Sequence, residues 1–243
     1  MPERVLFVPN WAMSPRAAEE LPGVRQALDD LRALYEVDVY VHPWVKGRDD
    51  DCSWDGQIRK LRGQIAEGCH LVVMGTGVAA ALLAASGPTP PRSFTAAGMV
   101  TPPATLHALG HSELANVFVS AWEGRSAYQY VRLVMEGASE DMWDRYAHMM
   151  DAEVDWARFS AELDTFRAAN LLQVKPNLKA PALYLDSPLR VAGYAEQRDA
   201  FVALVPHAEV VDLAVWPGHL HEKESGRDLS QKVIPFLRRH SES

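Results

Sequence analysis

Cysteine is scarce in this chain of 243 residues, which contains two, Cys52 and Cys69. They occur in dissimilar settings, so neither a disulfide framework nor a four-cysteine zinc site is supported. No apolar run approaches the roughly 20 residues that a membrane-spanning helix needs, and no charged-then-apolar leader follows Met1. These absences predict a cytoplasmic protein with reduced thiols and no membrane partner.

Positive charge is also scarce, because 24 Lys and Arg residues face 32 Asp and Glu residues and leave a net charge of -8. The resulting field disfavours nucleic acid and anionic membranes as partners. With 48% hydrophobic residues, the chain suits one substantial α/β domain with an insertion and is too short for two full domains. We therefore expect a small molecule as the partner.

Short apolar runs typical of strands alternate with helical segments along most of the chain. Such alternation predicts a mostly parallel central sheet flanked by helices on both faces. The predicted elements before residue 102 are the strands RVLFVPN, VDVYVHP, HLVVM and SFTAAGMV and the helices Ala17 to Leu34, Gln57 to Glu67 and Val78 to Ala85. After residue 172 follow the strands APALYLD and AEVVDLAV and the helices Gln197 to Leu204 and Leu229 to Arg239.

The segment from 102 to 172 has a different pattern. Its apolar residues recur at helical spacing, for example at Trp156, Phe159, Leu163 and Phe166, which predicts helices rather than strands. We expect residues 1–101 and 173–243 to form the α/β core. Residues 102–172 are expected to form a helical cap over the carboxyl ends of the strands.

The stretch CHLVVMGTGVAAALLAA predicts a strand, a sharp turn at Gly75, Thr76 and Gly77, and a buried helix. A dinucleotide site would need a third glycine where Ala80 stands. A nucleophile elbow, G-x-S-x-G, uses the same order of elements to lift a reactive side chain above the sheet. The turn therefore favours an elbow, although it carries no serine.

Three further patterns make nearly the whole chain resemble the α/β-hydrolase superfamily. LFVPNW resembles the first loop of that superfamily, LKAPALYLDSPLRV the segment that delivers the triad acid, and WPGHLHEKES the segment that delivers the triad histidine. The resemblance implies an oxyanion hole from the backbone N–H groups of Trp11 and Thr76, with Asn10 as a substrate contact in the same loop. It makes His219 the surviving triad residue and implies no cofactor.

The chain departs from the superfamily at the nucleophile and at the acid. One register places Gly75 on the nucleophile and Gly77 on the final glycine, whereas the other places Thr76 on the nucleophile and Val78 on that glycine. The acid's place falls on Arg190, a permanent cation. The antiparallel hairpin that opens many superfamily members is expected to be missing. The elbow also resembles that of the N-myc downstream-regulated family, hydrolase-fold proteins thought to lack hydrolase activity.

Further residues are candidates for contacting the substrate. His42 and Trp44 follow the second strand at the edge where α/β sheets bind ligands. His221 follows His219 closely, but this H-x-H pair has no third ligand at a convincing spacing, so we expect no metal. The remaining pocket candidates, which core packing would also explain, are Trp122, Trp143 and Trp216.

Two classes of function fit these residues. The first is a cofactor-independent enzyme without a serine nucleophile, which performs lyase, cyclase or isomerase chemistry on a small, partly apolar and anionic substrate. His219 is its expected base, kept neutral by the nearby cation Arg190. The second class is an inactive pseudo-hydrolase that binds a small ligand or a partner. Weak esterase activity through Thr76 would require the second register of the elbow.

Overall fold

A computed structural model describes residues 3–10, 13–66, 68–113, 115–116, 138–186, 194–215 and 222–241. The strands are β1 (Arg4–Val8), β2 (Glu36–Val39), β3 (His70–Met74), β4 (Ser93–Ala97), β5 (Ala182–Asp186) and β6 (Glu209–Asp212). They form one sheet in the order β2-β1-β3-β4-β5-β6. Every neighbouring pair is parallel. The predicted parallel sheet is confirmed, and no antiparallel hairpin occurs among these strands.

The described part of the chain contains ten helices whose bounds the structure gives. They are α1 (Pro15–Glu20), α2 (Pro22–Arg32), α3 (Trp54–Gln64), α4 (Gly77–Ala85), α5 (Pro103–Ala108), α6 (Glu140–Glu153), α7 (Trp156–Ala168), α8 (Leu171–Val174), α9 (Tyr194–Leu204) and α10 (Lys223–Arg239). Within residues 102–172, all regular elements that the structure describes are helical. The division into core and cap stays a prediction.

The single helix expected from Ala17 to Leu34 is wrong, because the chain forms two helices there. Leu21 between them is extended, with φ -71° and ψ 116°. Pro22 follows it, and the proline ring disfavours helical geometry at the preceding residue. Pro22 then suits the first turn of α2, where its missing N–H is not needed.

The centre of the core is the pair formed by β3 and α4. Every residue of both elements is buried, so their apolar side chains need no solvated face. β2 and β6, at the two edges of the sheet, are more exposed. The turn between β3 and α4 therefore lies between two fully buried elements. No helix of the described residues is long and apolar enough to cross a membrane.

The turn between α6 and α7 is tied to the loop that follows β2. The backbone N–H of Lys46 donates to the carbonyl of Glu153 at 2.8 Å, and the N–H of Asp155 donates to the carbonyl of Trp44 at 2.9 Å. An isolated antiparallel bridge joins the same two loops. This part of the predicted cap is therefore attached to the core by backbone hydrogen bonds, which depend little on side-chain identity.

A close approach of α2 and α10 generates the first prediction. A Cβ added to Gly226 of α10 would lie 1.8 Å from the carbonyl oxygen of Gly23. Gly226→Ala should therefore force the two helices apart and lower the free energy of unfolding by about 3 kcal/mol. Urea unfolding followed by circular dichroism measures this loss.

Gly63→Ala is the matched control, because Gly63 lies in α3 and nothing is within 4 Å of its added Cβ. It should stabilise the protein by about 0.5–1 kcal/mol, since alanine favours helices over glycine. Equal effects of the two substitutions would contradict the close approach.

Candidate functional site

The elbow lies at the carboxyl end of β3, between that strand and α4. Gly75 follows the strand directly and has φ +50°, a left-handed conformation that favours glycine. Its N–H donates to the carbonyl of Ala97 at 3.2 Å, and its own carbonyl accepts from Val100 at 3.2 Å. Gly75 is thus held against the end of β4 at the apex of a sharp turn.

Asn10 lies directly over this apex. Its Oδ1 accepts hydrogen bonds from the backbone N–H of Thr76 at 3.1 Å and from the Thr76 hydroxyl at 2.7 Å. The backbone N–H can only donate, so the amide is oriented with its oxygen toward Thr76. The Thr76 N–H, which the resemblance assigns to an oxyanion hole, already has an acceptor in this chain.

The glycines of the turn have different neighbours, and these neighbours fit the register that places Gly75 at the apex. A Cβ on Gly77 would lie 3.1 Å from Val8 and 3.3 Å from Val73, so this glycine allows α4 to approach the strands closely. Thr76 has helical geometry, with φ -68° and ψ -26°, and its side chain is buried. The Thr76 hydroxyl therefore points to Asn10 rather than projecting from the apex.

The histidine and tryptophan after β2 are buried under α7. His42 stacks on Trp44 with 5.1 Å between ring centroids, and Trp44 meets Phe159 of α7 edge-on at 5.7 Å. Neither side chain has a solvated face, with 2% and 0% exposed. Core packing accounts for both side chains. Their contact with a substrate stays a prediction. Trp143 is partly buried against the same core.

His42 also connects the core to the loop that carries Asn10. Its Nε2 lies 3.0 Å from the carbonyl oxygen of Pro9. The carbonyl can only accept, so Nε2 carries the proton and the ring is the Nε2–H tautomer. Burial, assisted by the charge of Lys60, lowers the pKa of His42 to about 4. The ring is therefore neutral at pH 7 and anchors Pro9 beside the elbow.

A buried carboxylate on α7 was not anticipated from the sequence. Glu162 of α7 is 1% exposed, and burial together with its negative charge raises the pKa of Tyr40. Tyr40 meets His42 edge-on at 5.2 Å. The apolar spacing of α7 places position 162 beside the core, but it gives no sign that a carboxylate is tolerated there.

A serine, a histidine and a carboxylate come together at the amino ends of β1, β3 and β4, another feature that the sequence did not indicate. Ser93 Oγ lies 2.7 Å from His70 Nδ1, and His70 Nε2 lies 3.6 Å from Glu3. Both Ser93 and His70 are 0% exposed, and burial lowers the pKa of His70. No substrate reaches such a serine, so the cluster supports the start of β3 and β4 rather than catalysis.

Six of the predicted site residues lie outside the described residues, so their roles stay predictions: Trp11, Trp122, Arg190, Trp216, His219 and His221. At the described end of β5, Asp186 is buried and pairs with Arg198 at 3.4 Å. Among the described residues, no group of three or more His, Cys, Asp or Glu side chains is placed to hold a metal ion.

Comparison with solved structures identifies the fold. A hydrolase from Oleispira antarctica superposes with a TM-score of 0.74 at 13% sequence identity, and the match covers 98% of this chain and 92% of the hydrolase. A bromoperoxidase from Bacillus anthracis gives 0.73 at 14% identity with coverage of 98% and 92%. MenH from S. aureus gives 0.67 at 15% identity with coverage of 98% and 94%.

These similarities show that the chain has the α/β-hydrolase fold, as its sequence motifs predict. No family model and no curated protein sequence matches the chain. The solved structures differ in activity, so the fold alone does not assign one.

The lowered pKa of His42 predicts a pH-dependent stability. The folded pKa of about 4 lies below the ordinary value of 6.5, so between these pH values the unfolded chain binds a proton that the folded chain does not. Stability from the neutral ring is therefore complete above pH 6.5 and is lost as the pH falls toward 4. The loss by pH 4.5 should be about 2–3 kcal/mol.

The matched variant is His42→Gln, which keeps an N–H donor for Pro9 but does not titrate. Urea unfolding at pH 7 and pH 4.5 should show the stability advantage of the wild type shrinking at the lower pH. Parallel losses in the two proteins would show that His42 is not the group responsible.

Proposed function

We propose that this protein is a hydrolase-fold enzyme that acts on a small molecule without forming a covalent intermediate. The chemistry proposed is proton transfer of the kind used by lyases, cyclases and isomerases. The observation that supports this is the elbow itself, where Gly75 carries no side chain and the Asn10 amide lies in the space above it. Covalent catalysis needs a nucleophile at this apex.

In this proposal the Asn10–Thr76 pair is the polar surface of the site. Asn10 Oδ1 accepts from Thr76, and the Nδ2–H group of the same amide would donate to a substrate oxygen in exchange for its contacts in the free protein. An N–H donor held there would stabilise negative charge that develops on a carbonyl or carboxylate oxygen. The backbone N–H of Trp11 would be the second donor, as the resemblance implies.

The remaining roles are assigned from the sequence. His219 would move the proton as general base, which suits a neutral imidazole near pH 7. Arg190 would disfavour the protonated form of His219 and would pair with an anionic substrate in bidentate fashion. No cofactor is needed for proton transfer of this kind.

A second candidate is a binding protein without catalysis, and one observation favours it. The Thr76 N–H donates to Asn10, so a substrate oxyanion could use this N–H only after displacing the amide. A binding protein needs no oxyanion hole, so the occupied N–H would not hinder its function.

The first experiment tests for the absence of a nucleophile. The protein is incubated with a serine-directed fluorophosphonate and with p-nitrophenyl butyrate, beside an active serine hydrolase as control. We expect no phosphonate adduct in the intact mass spectrum and no ester turnover above buffer, because the elbow has no hydroxyl at its apex. A stoichiometric adduct on Thr76 would overturn the proposal.

The second experiment separates the enzyme from the binding protein. Pyruvate and levulinate are incubated with the protein in D2O, and exchange of their C–H protons is followed by NMR. For at least one probe, proton transfer should raise exchange about 10²-fold above buffer, and His219→Ala should remove the increase. Binding of a probe without any faster exchange would favour the binding protein instead.

A further inference from the structure

We infer that the Asn10 side chain sterically blocks the elbow. Asn10 and Gly75 form a matched pair, because the Asn10 amide leaves no room for a nucleophilic side chain at position 75. The amide of Asn10 fills the space that a side chain at position 75 would need. A serine or cysteine introduced at Gly75 alone therefore has no room at the apex. This steric block does not depend on which small molecule the protein acts on. It can therefore be tested independently of the proposed reaction.

The distances around Gly75 carry this inference. A Cβ built on Gly75 would lie 2.6 Å from Oδ1, 2.9 Å from Cγ and 3.2 Å from Nδ2 of Asn10. Real Cβ atoms essentially never lie closer than 3.0 Å to another heavy atom, so Oδ1 and Cγ would have to move, and Nδ2 would have to give by a few tenths of an ångström. The entire amide, rather than one atom of it, would have to move.

Asn10 cannot move away at low cost. Its Oδ1 accepts from both donors of Thr76, so rotating the amide breaks two hydrogen bonds and removes the acceptor of a backbone N–H. The preceding residue, Pro9, is held through its carbonyl by the buried ring of His42. Asparagine also has a short side chain, so only two rotatable bonds could move its amide away from position 75.

The block acts on two parts of a hydrolase site together. It occupies the place of the nucleophile side chain, and it also takes the Thr76 N–H that would hold an oxyanion. Restoring a reactive elbow therefore requires two changes, one that supplies a side chain at 75 and one that shortens Asn10.

A thermal double-mutant cycle measures the matched pair without any assumption about activity. Gly75→Ala in the wild type should lower Tm by about 5–10 °C, because it combines the left-handed φ with the clash. In an Asn10→Ala background the same substitution should lower Tm by about 2–4 °C, because the φ penalty alone remains.

Gly98→Ala is the matched control, because Gly98 has φ +64° and nothing lies within 4 Å of its added Cβ. It should lower Tm equally in both backgrounds. If Gly75→Ala lowers Tm, or prevents folding, to the same extent in both backgrounds, Asn10 is not the block.

Alkylation by iodoacetamide tests the space above the elbow directly. Gly75→Cys is made with Asn10 intact and with Asn10→Ala, and peptide mapping distinguishes position 75 from Cys52 and Cys69. The thiolate sulfur attacks the CH2 carbon, an S–C bond forms, iodide leaves and the thiol proton passes to the buffer. Position 75 should react at least about 10-fold faster in the double variant, since the thiolate needs access to react. Equal rates in the two proteins, or no reaction in either, would overturn the inference.

Discussion

The hydrogen bonds from Thr76 to Asn10 are the interaction on which the elbow depends. Gly75 takes a left-handed turn that puts the Thr76 N–H at the start of α4, where no intrahelical acceptor is available. In hydrolases of this fold, the N–H at this position donates to the oxyanion that forms on the substrate. Here Asn10 supplies the acceptor, so the backbone N–H of the turn is satisfied within the chain.

The elements on either side of the turn hold it in place. β3 and α4 are fully buried on either side of the turn, and Gly77 allows the helix to approach Val8 and Val73. These contacts come from apolar packing and from the absence of a side chain at Gly77, so they do not depend on which residue performs chemistry at the turn. The scaffold therefore constrains the position of the site but not its reaction.

The sequence predicts the fold well because strands and helices leave strong periodic patterns. HLVVM matches β3, and the apolar spacing from Trp156 to Phe166 matches α7. The single helix predicted from Ala17 to Leu34 is divided at Leu21, because Pro22 disfavours helical geometry at the residue before it. The site was less predictable. The glycine register points to Gly75, whereas interactions between distant segments leave no local pattern, such as the hydrogen bonds of Asn10 with Thr76 or the effect of the Glu162 charge on Tyr40.

The most direct measurement of the central claim is NMR scalar coupling across the hydrogen bond between Thr76 and Asn10. In deuterated protein labelled with 15N and 13C, a long-range HNCO experiment correlates an amide nitrogen with the carbonyl carbon that accepts its proton. The account predicts a correlation from the Thr76 nitrogen to Asn10 Cγ, which is lost in Asn10→Ala. A correlation from Thr76 to a different carbonyl, or rapid exchange of the Thr76 amide proton with water, would contradict it.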